Sequence, residues 1–228
     1  AEVFWGFTQV TRAFVSSATS GPFSTTQAGF NALIARGLKP EESDTYELGA
    51  RYNDSVFNGV IGVYYVNFRN RLLGVQTGAG IVGNPAILQN VGSVRSIGFE
   101  AAGDLRLGGG LTLFASYSYT DASYRDDVVT PTAIIPTKGK DVVDTPKHLL
   151  RGEIAYDSDS FFGRIGANYM SKRYFNYLND RSVSSRVLVD ATIGYRFDMG
   201  MRTPIELQLN ATNLLDKKYV STIGSNGF

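Results

Sequence analysis

Hydrophobic and polar residues alternate with a period of two through most of the chain. Leu111, Leu113, Ala115, Tyr117 and Tyr119 share one parity, against Thr112, Ser116, Ser118 and Thr120, with Phe114 the exception. Val187, Val189, Ala191, Ile193, Tyr195 and Phe197 alternate likewise with Asp190, Thr192 and Arg196, and Ile205, Leu207, Leu209 and Ala211 with Glu206, Gln208, Asn210 and Thr212. Such alternation marks strands whose two faces meet different surroundings. Extended along the chain, it predicts about nine strands, near residues 2–13, 43–53, 57–71, 89–107, 110–125, 145–157, 161–177, 184–197 and 204–219. No amphipathic helix of comparable quality is present, although Gln27 to Gly37 has the pattern of a helical turn.

Several of these strands run well beyond the usual five or six residues. Strands of roughly ten residues suit a tilted membrane crossing, whereas a soluble sandwich uses shorter ones. The connections alternate as well. Asn53-Asp54-Ser55, Gly108-Gly109-Gly110, Asp157-Ser158-Asp159-Ser160 and Asp198-Met199-Gly200 read as tight turns, and between them lie long connections at 14–42, 72–88, 126–144, 178–183 and after Tyr219. Short periplasmic turns alternating with long extracellular loops are the pattern of an outer-membrane barrel. On that reading the first strand runs outward from near Val3 and the chain returns at Asp44.

The polar parity carries charge along the length of the strands. Glu47, Arg51, Glu100, Asp104, Arg106, Arg151, Glu153, Arg164, Asp190, Arg196 and Glu206 all fall on it. A mixed-charge lumen has this character, because an Arg facing lipid at the bilayer midplane costs about 2–4 kcal/mol. Tyr64, Tyr65 and Phe68, Tyr117 and Tyr119, and Tyr174, Phe175 and Tyr177 cluster toward strand ends as candidate girdle aromatics. The parity of the first strand is ambiguous, Val3, Trp5 and Phe7 competing with Phe4 and Gly6. A soluble sandwich or barrel remains the alternative, with Tyr in its core and charge on its wet face.

Composition removes other classes. With 22 Lys+Arg against 21 Asp+Glu, the net charge of +1 gives no electrostatic handle on nucleic acid. The absence of Cys excludes disulfides, thiolate metal sites and a cysteine nucleophile, and the lone His148 excludes a multi-histidine zinc site. The longest apolar run, Val60 to Val66, is strand-sized and far short of the ~20 residues of a membrane helix. The opening at Ala1 and Glu2 lacks a charged-then-apolar stretch, so the chain is expected to be mature or cut from something longer.

Three stretches carry a family resemblance. Leu207-Gln208-Leu209-Asn210-Ala211-Thr212-Asn213-Leu214-Leu215-Asp216-Lys217-Lys218-Tyr219 resembles the "N-x-x-N-L-F/L-D-x-x-Y" signature of TonB-dependent outer-membrane receptors. Leu38-Lys39-Pro40-Glu41-Glu42-Ser43-Asp44-Thr45-Tyr46-Glu47-Leu48-Gly49 is similar to that family's "L-K-P-E-x-S-x-x-Y-E-x-G" segment, and Asn90-Val91-Gly92-Ser93-Val94-Arg95-Ser96-Ile97-Gly98-Phe99-Glu100 to its "N-x-G-x-x-x-x-x-G-x-E" strand. They occur in order across residues 38–219. Each also has a scaffold reading: Pro40 fixes the chain before alternation resumes, Gly98 permits close approach by a packed partner, and Asn213 and Asp216 form turns.

The resemblance implies an all-β, antiparallel up-and-down transmembrane β-barrel, of which this chain would supply about nine strands of about 22. Residues 1–228 would form part of that single barrel domain, with the plug domain, the TonB-binding box and the final strand outside the chain. Phe228 is not expected to be the terminal aromatic of a closing strand, since Ser221 to Gly227 do not alternate. The implied function is TonB-dependent uptake across the bacterial outer membrane of a scarce nutrient, foremost a ferric siderophore or other iron chelate, then cobalamin or a saccharide. Its partners would be the bilayer, TonB through the plug and the small-molecule ligand, with no resident cofactor or metal and no bond-making chemistry. Ligand contacts are expected at the rim: Arg69, Arg71, Arg173, Tyr174, Asn176, Asn179, Asp180 and Arg181, since Arg and Tyr suit an anionic aromatic chelate. The alternatives are a passive porin or adhesin, or an enzyme pairing His148 with a carboxylate such as Asp144 or with a Ser. For His148 a hydrogen-bonding role at the rim or in the lumen is favoured, because no nucleophile motif accompanies it.

Overall fold

A computed structural model describes residues 1–12, 37, 39–75, 87–90, 92–129, 134–200, 205–221 and 223. The strands are β1 (Glu2–Arg12), β2 (Glu41–Asn53), β3 (Phe57–Arg69), β4 (Leu72–Val75), β5 (Ile87–Asn90), β6 (Val94–Gly108), β7 (Leu111–Tyr124), β8 (Val128–Val129), β9 (Ile134–Ile135), β10 (His148–Asp157), β11 (Phe161–Met170), β12 (Arg173–Tyr174), β13 (Ser182–Val183), β14 (Arg186–Phe197) and β15 (Ile205–Ala211). Nine of them form one antiparallel sheet in the order β1-β2-β3-β6-β7-β10-β11-β14-β15. The short pairs β4-β5, β8-β9 and β12-β13 lie in the long connections. The up-and-down topology and the alternation of short and long connections are as the sequence predicts. The helical-turn pattern of Gln27 to Gly37, Gly37 aside, and the terminal Phe228 lie outside the described residues.

Cross-strand register resolves the faces. Trp5 pairs with Leu48, Leu48 with Val63, Val63 with Phe99, Phe99 with Tyr119 and Tyr119 with His148, one continuous row over six strands. Val3 and Phe7 lie opposite Ala50 and Tyr46, which settles the parity of β1: Val3, Trp5 and Phe7 share the apolar face. On the other face Glu47 pairs with Tyr64, Tyr64 with Gly98 and Gly98 with Thr120.

Neither face is a protein core. Trp5, Leu207 and Leu209 are 81%, 67% and 69% exposed, and the buried hydrophobic residues among those described, Ala122, Tyr124, Val128 and Tyr177, all lie at the long-loop end. A sheet this long with so much unburied apolar surface on one face needs an apolar solvent there. No helix among the described residues is long and apolar enough to cross a membrane, which leaves strands as the spanning elements.

Several boundaries differ from the alternation. The strand read as 89–107 begins at Val94, because Gly92 has φ +97° and breaks the extended run. The stretch 161–177 stops at Met170 and resumes as the β12–β13 hairpin, and 204–219 stops at Ala211, ahead of left-handed residues Asn213 (φ 53°) and Asp216 (φ 46°). Among the aromatics, Tyr65, Tyr117 and Tyr119 lie on the apolar parity, but Tyr64 and Phe68 lie on the polar one, and Tyr174, Phe175 and Tyr177 lie beyond the large sheet.

At the short-turn end Asp54 shapes the β2–β3 connection. Its Oδ1 accepts from the backbone N–H groups of Val56 and Phe57, each at 2.7 Å, and its Oδ2 accepts from Tyr52 Oη at 2.8 Å. The Phe57 and Val56 amides, with the Tyr52 hydroxyl, hold the Asp54 carboxyl below its usual range.

Candidate functional site

At the long-loop end the β11–β14 connection folds into a compact hairpin fastened to its neighbours. Arg173, 6% exposed, holds three segments together. Its Nη1 pairs with Asp144 at 2.9 Å, and its Nη2 donates to the carbonyls of Val220 (2.7 Å) and Ser221 (3.1 Å). Asp144 N donates in turn to Tyr174 O at 2.8 Å. Asn179, left-handed at φ 59°, accepts from Asp141 N at 2.6 Å and donates to Asp141 O at 3.1 Å. Asn176 donates to Asp180 at 2.5 Å and accepts from Arg181 N at 3.3 Å. Lys172 lies over the Tyr174 ring at 5.0 Å and donates to its hydroxyl at 3.2 Å. Arg181 is exposed, and its guanidinium pairs with no described residue.

Arg71 adjoins this hairpin through aromatic rings. Its guanidinium lies 5.4 Å from the centroid of Tyr124 and 5.8 Å from that of Tyr177, rings that are themselves 5.4 Å apart. Its Nη1 is buried without a hydrogen-bond partner among the described residues. Burial pushes the Tyr177 phenol pKa up, and the Arg71 charge opposes the shift.

The structure thus brings Arg71, Arg173, Tyr174, Asn176, Asn179, Asp180 and Arg181 into one neighbourhood. Arg69 is elsewhere. It shares the parity of Ile61, Val63 and Tyr65 on the apolar face, where it pairs with Asp44 and, at 3.1 Å, with Glu42. Asp44 also accepts from Gln9 at 2.9 Å. A polar cluster on that face beyond the Phe7–Tyr46–Tyr65 aromatics fits the headgroup zone of a bilayer.

His148 opens β10 at the long-loop end on the apolar parity, so of the two placements expected for a hydrogen-bonding histidine the rim fits and the lumen does not. Its Nδ1 is 2.9 Å from Tyr117 Oη, and its ring packs on Tyr117 and Tyr119 with centroids 6.1 and 5.2 Å away. Asp144 is committed to Arg173, so no His148–Asp144 pair forms. Among the described residues no cluster of His, Asp or Glu could hold a metal ion.

Sequence reasoning missed Arg186 and Tyr219. The Arg186 guanidinium lies 4.3 Å over the Tyr219 ring, and its Nη1 too is buried without a described partner. Counting back by twos from Asp190 places Arg186 on the polar face, a signal that was available. Below the rim that face bounds a cavity of about 530 Å³, lined by Glu47, Tyr64, Glu100, Arg151, Asn168 and Arg186 among others. The lining mixes these groups with apolar side chains such as Val60, Leu149 and Leu188, and within it Ser118 Oγ donates to Glu100 at 3.4 Å.

Comparison with known proteins gives this architecture a family. The family model described as TonB dependent receptor-like, beta-barrel matches residues 4–214. An uncharacterized TonB-dependent receptor of Haemophilus influenzae is 28% identical over 203 residues, covering 85% of this chain and 56% of the relative. The ferrioxamine B receptor of Salmonella typhimurium is 27% identical over 198 residues, covering 82% of this chain and 26% of the relative. The chain therefore spans between about a quarter and just over half of these relatives. Among solved structures, the ferric citrate transporter FecA in its unliganded form superposes with a TM-score of 0.73 at 20% identity, over 99% of this chain and 33% of that one. The sheet accordingly sits in the outer membrane, its apolar face toward lipid, and the family is one of receptors and not of enzymes. The chain belongs to the TonB-dependent receptor family, as part of its β-barrel.

Proposed function

We propose that the intact protein takes up a scarce nutrient across the bacterial outer membrane in a TonB-dependent manner, and that its substrate is a ferric siderophore or another iron chelate. The family match over residues 4–214 carries the proposal. Relatives support the substrate class: one is a receptor for ferrioxamine B, another for ferric pyoverdine. The rim adds a chemical reason. Arg71, held between the buried rings of Tyr124 and Tyr177, and the exposed Arg181 on the neighbouring hairpin place positive charge there for an anionic chelate. Of the residues expected to touch ligand, Arg181 is the exposed arginine. Arg173, Asn176 and Asn179 act by holding the hairpin in shape.

Residues 1–228 are proposed as part of a single barrel, completed in the intact protein by further strands and filled by a plug that engages TonB. The open nine-stranded sheet supports this, since β1 and β15 are each paired along only one edge among the described residues. The test is radioiron uptake by cells expressing the intact receptor, supplied with ferric trihydroxamate, catecholate and carboxylate chelates, with and without TonB. Uptake of at least one chelate that disappears without TonB is the expected result. Equal entry in both strains would make the barrel a passive pore.

A further inference from the structure

The large sheet has no core, but its long-loop end has a small one. Tyr124 at the end of β7, Val128 and Thr137 from the β7–β10 connection, and Tyr177 from the β11–β14 connection are all buried there. Tyr124 and Tyr177 pack ring to ring at 5.4 Å, so residues of separate connections cover each other.

Hydrogen bonds run through the same segments in series. At the entry to β6, Ser93 N donates to Asp126 Oδ2 at 2.8 Å and Ser93 O accepts from Arg125 N at 2.9 Å. Asp126 O accepts from Thr137 Oγ1 at 2.8 Å, and Lys138 N donates to Asp127 Oδ1 at 2.9 Å, which closes the β7–β10 connection on itself. Val142 N ties it back to Ala122 O on β7 at 3.0 Å. The next link is Asp141, bonded in both directions to Asn179 of the β11–β14 connection. Arg173 then joins Asp144 to the carbonyls of Val220 and Ser221 after β15. Segments joined in this way around shared buried groups open together, because freeing one leaves the next without its partners or its cover.

We infer that these connections form an interlock, a single two-state unit fastened by Arg173, which opens as a whole and not loop by loop. A change of shape at this end of the barrel is then all-or-none across the entry to β6, the β7–β10 connection, the β12–β13 hairpin and the segment after β15. Arg173 is a positioning residue in this unit. The interlock does not depend on what the receptor takes up.

Hydrogen exchange of the intact receptor in lipid vesicles, read residue by residue by mass spectrometry, tests the interlock from both ends of the series. In the unaltered receptor the amides of Ser93, Asp141 and Asp144 should share one protection factor. Arg173→Gln removes the pairings with Asp144, Val220 and Ser221. It is expected to speed exchange about tenfold or more, as befits lost hydrogen bonds to a charged group. The same factor should appear at Asp141 and Ser93, whose amides are held by Asn179 and Asp126 and not by Arg173. Arg173→Lys, which keeps the charge and loses the fork, should fall between. Asn179→Ala, which removes the bonds to Asp141, should reciprocally expose Ser93 and the Asp144 amide, held by Tyr174 O. Amides in the middle of β6 and β7 should keep their protection in every variant, since the barrel stays folded. Faster exchange confined to Asp144 in Arg173→Gln, or stopping at Asp141 in Asn179→Ala, overturns the inference. Where a substitution unfolds the barrel, the unaltered receptor decides: separate protection factors at Ser93, Asp141 and Asp144 overturn it equally.

Discussion

The ring of Tyr64 occupies the space that a side chain on Gly98, its cross-strand partner, would need, and its hydroxyl reaches Thr120 Oγ1 on the next strand at 2.8 Å. Phe4 over Gly49 and Phe162 over Gly194 repeat the arrangement on the same face. A glycine opposite an aromatic lets the ring cover backbone that would otherwise be bare, and it ties three strands together where no core exists to do so. Gly98→Ala should displace the Tyr64 ring and cost about 1–3 kcal/mol as overpacking. The same change in a Tyr64→Ala background should cost much less. Urea unfolding of the intact receptor in lipid vesicles measures both, and equal losses in the two backgrounds would contradict the packing account.

Two adjacent alanines test the lipid assignment. Ala101 pairs with Ile61 and Tyr117 on the apolar face, whereas Ala102 pairs with Val60 and Ser116 on the face that bears Glu100 and Asp104. Ala101→Arg is expected to destabilise the barrel by about 2–4 kcal/mol if it lies near the midplane, and Ala102→Arg by little, because the lumen can hydrate the charge. Unfolding free energies in the same vesicles decide the matter; similar losses at both positions would mean that the faces do not meet different solvents.

Much of this was legible by counting residues in twos. Charges such as Glu47, Glu100, Arg151, Asp190 and Glu206 fall on the polar face as their parity requires, and the Asp and Gly turns fall at one end. The same count, applied more strictly, places Arg69 with Tyr65 and Val63, and His148 with Leu150; both were read instead from chemistry and proximity to a loop. Tyr64 and Tyr65, as neighbours, must face opposite ways, so they could not both belong to the girdle. Beyond the sheet, parity loses its meaning. Arg173 finds Asp144, Val220 and Ser221 through loop geometry, and no local pattern in the sequence specifies contacts between segments 29 to 48 residues apart.

Acid should loosen the β2–β3 turn before it affects the strands. The Asp54 carboxyl is held below its usual range by the Phe57 and Val56 amides and the Tyr52 hydroxyl. A group whose folded pKa is depressed contributes stability that is full above its unfolded value, about 3.9 for Asp, and that is lost as pH falls through the folded value. Hydrogen exchange at Val56 and Phe57, corrected for its intrinsic pH dependence, should therefore be constant from neutrality to just above that range and lose protection below it. In Asp54→Ala the turn should be unprotected at every pH. A protection step centred near neutrality would point to a different group.

Asn213 offers the closest test of why the late-strand motif has its form. The residue adopts φ 53°, accepts from Lys217 N, donates to Lys217 O, and through its own backbone N donates to Asp190 Oδ1 at 2.8 Å. Two properties are thus combined at one position, tolerance of the left-handed region and a side chain that closes the turn. Asn213→Gly keeps the first and removes the second, so it should cost about 0.5–1.5 kcal/mol for each side-chain hydrogen bond lost. Asn213→Ala removes both and should cost about 1–2 kcal/mol more, the penalty of the left-handed conformation for an ordinary residue. Because the same turn sets the path of Tyr219 and the carbonyls that Arg173 holds, both variants should also increase mobility at Tyr219, measured in the intact receptor by a spin label at Lys218→Cys, residues 1–228 having no other cysteine. Equal stability of the glycine and alanine variants would show that backbone conformation has no part in the choice of Asn. An unchanged label would show that the turn and the rim are independent.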